Sequence, residues 1–243
     1  PWTKKAMCKS LSKMRYISVR DTWTQNMLKV VLHKIEPITP DPVFAFNQNA
    51  GAFIPTKASI LERFHLPKKY VLLSLFTQVL SKEQITELKE MFEHDGIALA
   101  VLPMPTGQSY EHYVKHDIRF PLSPIDWYAL IKYSQGYIGS NMHPIVVSLH
   151  NAVPCFSLDN WGRVNFKGEK VDDGSSKIQH IMEVFDAANN RRMITHGKCN
   201  VTIHEIYEGI RNFPRDMVRQ KAACYLQEYN DMMELMIKQL KNK

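Results

Sequence analysis

From residue 69 onwards, short apolar segments of the chain alternate with helical patterns. The segments "YVLLSLF", "IALAVLPMP", "GYIGS" and "VPCFSLD" are predominantly apolar, and a helical stretch separates each from the next. A further strand is predicted at "DIRFPL", before the second of these helices. Unbroken hydrophobicity is typical of strands buried on both faces, and intervening helices make successive strands parallel. The chain is therefore predicted to be an α/β protein, with a Rossmann-like parallel sheet and helices on both faces.

Local signals define the ends of these helices. Ser81 precedes Gln84 by three residues, which is a capping-box spacing, and Gly96 is suited to a helix C-terminus. Ser123 followed by Pro124 predicts another helix start, because proline fits the first helical position. Further helices are predicted at about 175–188, 202–211 and 214–240, after a polar loop that begins at residue 163.

Residues 1–53 lack the regular alternation of apolar strands and helices that begins at residue 69. A helix over the opening 14 residues, a short strand at "RYISVRD" and a helix at "TWTQNMLKVVLH" precede the Pro-rich stretch 35–53, which is predicted to be irregular. We expect four parts: the tail of an incomplete N-terminal Rossmann-like domain (1–50), a linker (51–68), a C-terminal Rossmann-like domain (69–200) and C-terminal helices (201–243).

Charge and apolar content narrow the classes of function. The net charge is +7, and much of the excess lies in six Lys and Arg residues before Asp21. This run lacks interleaved aromatic residues, so a solvated face or a face that meets another part of the protein is preferred to a nucleic-acid site. No apolar run reaches the ~18–20 residues of a transmembrane helix, and the first residues lack a secretory signal pattern. A cytoplasmic location is expected.

Polar residues follow the strand "GYIG" directly. Ser140 or Asn141 could cap the next helix, and Pro144 suits its first turn. The carboxyl ends of parallel strands and the free N–H groups of helix N-termini form anion sites, so phosphate or carboxylate is the expected ligand. His143 is the candidate proton carrier beside that anion. The alternative is that the polar pair only caps the helix and His143 is a structural histidine.

The remaining sequence motifs give little evidence for a specific function. The sequence contains no G-x-G-x-x-G, Walker A or G-x-S-x-G motif, so dinucleotide, P-loop and hydrolase functions lose support. His112 and His116 have metal-ligand spacing but no convincing third ligand, and four scattered cysteines form no C-x-x-C pair, so no metal site is predicted. His150 is interpreted as structural.

Three segments together resemble the polysaccharide pyruvyl transferase family: "YISVRD" before a helix, "DPVF" at 41–44, and "GYIGSNMHPIVVSLHNAVP". Members of this family are similar to GT-B glycosyltransferases, with two Rossmann-like domains and a cleft between them. The resemblance implies that this chain holds the end of the first domain, the GT-B-like second domain and the closing helices.

The resemblance also implies a reaction, in which a pyruvyl group passes from phosphoenolpyruvate to two hydroxyls of a sugar, forms a ketal and releases phosphate. Phosphoenolpyruvate is then the donor substrate, and no cofactor is expected. Position by position, Arg20 matches an arginine that grips the donor, and His143 matches the histidine of the family's Arg-Leu-His. Met142 stands at the leucine, where its backbone N–H is the relevant group, and Ser140 precedes this triplet.

Asn141 departs from the family pattern, because it replaces the arginine of that triplet. An asparagine amide offers neutral donors where arginine offers a charged, bidentate clamp. Arg163 or Lys167, in the following polar loop, could supply the missing charge. Asp159 and Asn160, at the end of the next strand, are candidate partners of sugar hydroxyls, with turn formation as the alternative for Asn160.

Two further functions remain open. A GT-B glycosyltransferase or nucleotide-sugar epimerase could hold a UDP-type diphosphate at the same helix N-terminus, and a non-catalytic relative could have kept the fold without the arginine. The expected partners are phosphoenolpyruvate and a sugar or lipid-linked oligosaccharide acceptor, without nucleic acid. Peripheral association with the inner face of the membrane is left open, and the sequence gives no oligomeric state.

Overall fold

The fold was analysed in a computed structural model. The structure describes residues 2–75, 79–103, 114, 116–119, 121–167, 170–172, 174–195 and 198–241. The chain divides into two compact units, one formed by Pro1–Asn49 with Lys221–Lys243 and the other by Ala50–Gln220. The predicted four-part division of the chain stays a prediction.

Ten α-helices and nine strands occur in the described ranges. The helices are α1 (Trp2–Leu11), α2 (Thr22–Leu32), α3 (Phe46–Ala50), α4 (Lys57–Arg63), α5 (Lys82–His94), α6 (Pro124–Tyr133), α7 (Met142–His150), α8 (Lys177–Val184), α9 (Ile203–Arg211) and α10 (Arg215–Lys241). The strands are β1 (Tyr70–Ser74), β2 (Ala98–Val101), β3 (His116–Asp117), β4 (Gly136–Gly139), β5 (Cys155–Asp159), β6 (Arg163–Val164), β7 (Lys170–Val171), β8 (Arg191–Thr195) and β9 (Lys198–Cys199).

Seven of these strands form one sheet in the order β3-β2-β1-β4-β5-β8-β9. The first six are parallel to one another, and β9 is antiparallel to β8. The order of the six parallel strands is that of a Rossmann fold, which reverses between β1 and β4. The predicted Rossmann-like α/β fold is thus confirmed.

Helices cover both faces of the sheet. Val71 and Leu73 of β1 belong to a buried cluster that includes side chains of α5 and α9, such as Phe92 and Ile206. On the other face, the hydroxyl of Tyr70 donates a 2.7 Å hydrogen bond to the carbonyl oxygen of Leu130 in α6. Strands β1, β4 and β5 are buried along their whole length, as their unbroken hydrophobicity predicts.

The helix-end signals are confirmed. Ser81 and Gln84 form the complete capping box of α5, and Gly96, at φ +71°, follows its C-terminus. Ser123 caps α6 with Pro124 in the first turn. These signals succeed because they depend only on contacts within a few residues of the chain.

Two local predictions in the first part of the chain are wrong. The strand expected at "RYISVRD" is a single parallel bridge between Val19 and Ile38. Pro37 and Pro40, which flank the bridge partner, lack the N–H groups that a longer ladder needs. The stretch 35–53 is not irregular throughout, because it contains a 3-10 helix at Pro42–Ala45, helix α3 and a 3-10 helix at Gly51–Phe53.

Three other elements also differ from prediction. The strand expected at "DIRFPL" is the two-residue β3, which begins at His116, one residue earlier. The polar loop after residue 163 contains the antiparallel hairpin β6–β7, and β8 was not predicted at all.

No helix in the described part of the chain combines the length and apolarity that crossing a bilayer requires.

Candidate functional site

A cavity of about 570 Å³ lies at the carboxyl ends of β4 and β5. In open α/β sheets this edge, near the reversal of strand order, is where ligands bind. The predicted residues Ser140, Asn141, Met142, Asp159 and Asn160 all line this cavity, so the structure brings them together. The remaining lining residues are Trp161, Gly162, Ser176, Lys177 and Ile178.

The N-terminus of α7 forms one wall. Asn141 occupies the N-cap position, but neither its side chain nor that of Ser140 makes the predicted cap. Capping bonds go to the N–H of the second or third helical residue, and the third is Pro144, which leaves only the N–H of His143 for such a bond. Within the described residues, the Ser140 Oγ and Asn141 Nδ2 atoms are buried without a hydrogen-bond partner. Two buried polar atoms without partners among the described residues thus lie beside the N-terminus of α7.

The backbone before this helix is shaped by Tyr137. A Cβ at Gly139 would lie 2.0 Å from the hydroxyl oxygen of Tyr137 and 2.6 Å from the carbonyl oxygen of Ser74. Only glycine therefore lets the buried tyrosine pass along β4. Burial raises the pKa of Tyr137, so the phenol is neutral and lies beneath the strand-to-helix turn.

The N-terminus of α8 forms the second wall. Ser176 caps this helix, because its Oγ accepts a 3.2 Å hydrogen bond from the N–H of Gln179. The next residue, Lys177, is exposed and lines the cavity. The positive ends of α7 and α8 and one ammonium group therefore border the same space, which favours an anionic ligand.

Asp159, at the end of β5, is bonded to the α8 wall. It is fully buried; its Oδ1 accepts the Trp161 N–H at 2.9 Å, and its Oδ2 accepts the Ser176 hydroxyl at 2.5 Å and Nε of Arg191 at 2.7 Å. Both carboxylate oxygens are thus engaged inside the protein. Asp159 still lines the cavity, and the expectation that it binds a sugar hydroxyl stays a prediction.

Arg191, on the unpredicted β8, completes the network. Its Nη1 donates a 2.8 Å hydrogen bond to Asp172, and its side chain is only 10% exposed. Burial lowers the pKa of Arg191, but the hydrogen bonds and charges of Asp172 and Asp159 outweigh this effect and raise it. The guanidinium therefore stays charged. Its Nη2 is buried without a hydrogen-bond partner among the described residues.

Three other predicted residues lie in or next to the loop that follows β5. Asn160 lies between Asp159 and Trp161 on the cavity wall. Arg163 begins β6, but its side chain lies outside the described part of the structure, so its role stays a prediction. Lys167 is exposed, and its backbone N–H donates to the Asn165 side chain at 2.9 Å.

His143 is the second residue of α7 and is exposed. Among the described residues it is not one of the ten that line the cavity, although it follows Met142, which does. The proton-transfer role of His143 therefore stays a prediction. By contrast, burial and then the charge of Lys132 lower the pKa of His150 to about 4, consistent with a structural residue.

Arg20 lies in the first unit. Its Nη1 forms an ion pair with Oδ2 of Asp41, and Oδ1 of Asp41 accepts the N–H of Val43 at 3.1 Å. Asp41 caps the 3-10 helix of "DPVF". The segments "SVRD" and "DPVF" are therefore joined by a direct ion pair, and Arg20 keeps 40% of its side-chain surface exposed.

In the ranges that the structure describes, no three His, Cys, Asp or Glu side chains are grouped to hold a metal ion. His112 lies outside those ranges, so its predicted pairing with His116 has no structural test. The expectation that no cofactor is used stays a prediction.

Sequence reasoning missed Trp161, Ser176, Lys177 and Arg191. The spacing of Ser176 and Gln179 is a capping signal that could have placed the start of α8 more closely. Nothing local indicates that Lys177 or Arg191 reaches this edge of the sheet, because that depends on the position of β8 beside β5.

Solved structures share this fold. The UDP-GlcNAc 2-epimerase from Methanocaldococcus jannaschii is 17% identical, with a TM-score of 0.53, over 81% of this chain and 54% of that one. The wall teichoic acid polymerase TagF is 12% identical, with a TM-score of 0.46, over 100% of this chain and 63% of that one. The likeness to the epimerase shows the shared fold. The chain thus spans roughly half the length of the epimerase, and no curated protein matches it.

The family comparison covers more of the chain. The model of the polysaccharide pyruvyl transferase family matches residues 1–162. This range includes all three segments on which the resemblance depends, and it extends through β4, α7 and β5 to Trp161 on the cavity wall. The chain therefore belongs to the polysaccharide pyruvyl transferase family.

Proposed function

We propose that the protein is a transferase that moves a pyruvyl group from phosphoenolpyruvate to two hydroxyls of a sugar in a surface polysaccharide or its precursor. The observation that carries this proposal is the pair of helix N-termini, of α7 and α8, that border one cavity together with Lys177. Family membership supports the same reaction.

Phosphoenolpyruvate carries two anionic groups, a phosphate and a carboxylate. Two helix N-termini suit two such groups, because each offers unpaired N–H donors and a partial positive charge. An anion at one N-terminus gains about 0.3–1 kcal/mol, and up to about 2 kcal/mol when partly buried. Lys177 adds a full charge, and Ser140 Oγ and Asn141 Nδ2 add hydrogen-bonding groups without partners in the described structure.

The chemistry requires one acid and two attacking hydroxyls. An acid protonates the methylene carbon C3, and one sugar hydroxyl forms a bond to C2 and loses its proton. The C2–O bond to phosphate then breaks, phosphate leaves with the electron pair, and the second hydroxyl bonds to C2 and loses its proton. We assign the acid and base role to His143, because imidazole can exchange protons near neutral pH. Arg20 is assigned to an anionic group of the donor.

The arginine that Asn141 replaces is the point of difference from the family pattern. Lys177 is our candidate for the missing charge, because it lines the same cavity as Asn141. A lysine is a mobile point charge rather than a bidentate fork, so it would hold phosphate with less geometric selectivity.

The acceptor and the place of action follow from the same proposal. A sugar of the polysaccharide, or a lipid-linked oligosaccharide precursor, would present the two hydroxyls. If the acceptor is a lipid-linked precursor, the protein would act on the cytoplasmic side, at the inner face of the membrane.

Phosphate release tests the proposal. The full-length protein, incubated with phosphoenolpyruvate and candidate glycans, should release phosphate only when a suitable glycan is present. His143→Ala should reduce this release at least 100-fold, because it removes the acid. The control is His204→Ala, at an exposed position of α9. If His143→Ala and wild type are equally active, His143 does not have the assigned role.

A UDP-type donor is the second candidate. Asn141 favours it, because the arginine of the family's triplet is missing here, and a diphosphate could also bind at the two helix N-termini. Thermal-shift measurements with phosphoenolpyruvate and with UDP-sugars separate the two functions. A shift with UDP-sugars alone would favour a glycosyltransferase or epimerase. No shift with either donor, in wild type and in Asn141→Arg, would favour a non-catalytic relative.

A further inference from the structure

Trp161 is an aromatic side chain that lines the cavity but does not belong to the core. It is 61% exposed, although the large aromatic residues of the neighbouring strands, Tyr137 and Phe156, are buried. Exposed tryptophans are ordinary when scattered singly over a surface. This one lies two residues after β5, on the wall of the cavity that holds the free N-terminus of α7.

The backbone of Trp161 is held rigidly. Its N–H donates to Asp159, whose carboxylate is fixed by Ser176 and Arg191. The next residue, Gly162, packs so closely that a Cβ there would lie 2.3 Å from Cε of Met193 and 2.9 Å from the carbonyl oxygen of Val171. Because these contacts already fix the backbone of Trp161, little backbone conformational entropy is lost when a ligand binds to the exposed indole.

The cavity therefore has two chemically different sides. The N-termini of α7 and α8 and Lys177 offer positive potential, whereas Trp161 offers a flat apolar surface. A pyranose ring has one face of C–H groups and a rim of hydroxyls. Such a ring can bury its C–H face against an indole while its hydroxyls point towards the anion side.

We propose that Trp161 is the platform on which the ring of the acceptor sugar stacks, and that it determines which acceptors are used. This inference rests on the proposed pyruvyl transfer and adds the binding site of the second substrate. Stacking at Trp161 would place a hydroxyl-bearing ring next to a donor anchored at the helix N-termini, as ketal formation requires.

Steady-state kinetics of the full-length protein test the assignment. Trp161→Ala should raise KM for the acceptor about tenfold and change KM for phosphoenolpyruvate less than twofold, whereas Trp161→Phe should retain most of the acceptor binding. Phe166→Ala is the matched control, because Phe166 is an exposed aromatic residue of the adjacent β6–β7 hairpin that does not line the cavity among the described residues. Equal changes in both KM values for Trp161→Ala would overturn the assignment.

A binding measurement separates this inference from the proposed reaction. In protein labelled with 5-fluorotryptophan, the 19F resonance that is missing from Trp161→Phe belongs to Trp161. It should shift on titration with methyl glycosides of the candidate acceptor sugars, in the absence of phosphoenolpyruvate. A shift with UDP but with no methyl glycoside would show a nucleobase platform and would overturn the inference. Glycoside shifts without any phosphate release would support the platform while contradicting the proposed transfer.

Discussion

Asp159 and Arg191 form a buried ion pair, in which Nε of Arg191 donates a 2.7 Å hydrogen bond to Oδ2 of Asp159. The pair connects the end of β5 to the start of β8, and through Ser176 it also fixes the N-terminus of α8. The α8 wall of the candidate site and the backbone of Trp161 therefore depend on a contact between residues 32 positions apart in the chain.

Loss of this contact should unfold the protein at lower denaturant concentration. Arg191→Ala leaves the buried carboxylate of Asp159 without its cation, and the free energy of unfolding should fall by about 3–5 kcal/mol. Arg219→Ala is the control, because its ion pair with Asp216 is largely exposed and should contribute about 1 kcal/mol or less. Urea unfolding followed by circular dichroism measures both. Equal losses for the two variants would contradict the structural role of Arg191.

Gly139 should not tolerate a side chain. Gly139→Ala brings a methyl group into contact with the Tyr137 ring and the Ser74 carbonyl, and the unfolding free energy should fall by about 3 kcal/mol. At Gly51 an added Cβ meets nothing within 4 Å, so Gly51→Ala should change stability by about 0.5 kcal/mol or less. The same unfolding assay checks this pair, and a stable Gly139→Ala variant would show that Tyr137 can move aside.

Lys177 should matter for donor affinity more than for stability. Lys177→Gln removes a charge from the cavity wall, so the dissociation constant for phosphoenolpyruvate should rise about tenfold, while unfolding should be little changed. Lys68→Gln removes an exposed charge two residues before β1, away from the carboxyl ends of the strands, and should leave the affinity within about twofold. Isothermal titration calorimetry provides both values. Unchanged affinity in Lys177→Gln would remove this residue from the proposed donor site.

His150 should make stability depend on pH. Its pKa in the folded protein is about 4, below the ordinary value of 6.5, so the unfolded chain binds a proton first as the pH falls. The free energy of unfolding should therefore decrease between about pH 6.5 and pH 4, by up to ~3 kcal/mol. His150→Phe should lose this component and keep an aromatic ring near Tyr128. Parallel unfolding curves for both proteins at pH 7, 5.5 and 4 measure the difference, which should vanish if His150 titrates normally.

The sequence was most informative where structure depends on near neighbours. The Ser81–Gln84 capping box, the start of α6 at Pro124 and the buried strands β1, β4 and β5 were predicted because their signals lie within a few residues. The residues after β4 and β5 were also placed correctly at one edge, since parallel strands bring their carboxyl ends together.

The rest depends on long-range contacts. Strand β8 was missed because "RRMIT" begins with two arginines, and only the carboxylates of Asp159 and Asp172 allow Arg191 to be buried there. The same contact explains why Asp159, predicted to bind sugar, has both oxygens engaged inside the protein. The start of α7 lacks a side-chain cap, and a local feature contributes, because Pro144 removes one of the two N–H groups that a cap can bind.

The most direct test of the account follows the carbon atom that is transferred. Phosphoenolpyruvate labelled with 13C at C2 is incubated with full-length protein and an acceptor glycan that supports phosphate release, and the product is examined by 13C NMR. The account predicts that the label becomes a ketal carbon bonded to two sugar oxygens, and that His143→Ala does not form it. Label found only in free pyruvate or in unreacted phosphoenolpyruvate would contradict pyruvyl transfer.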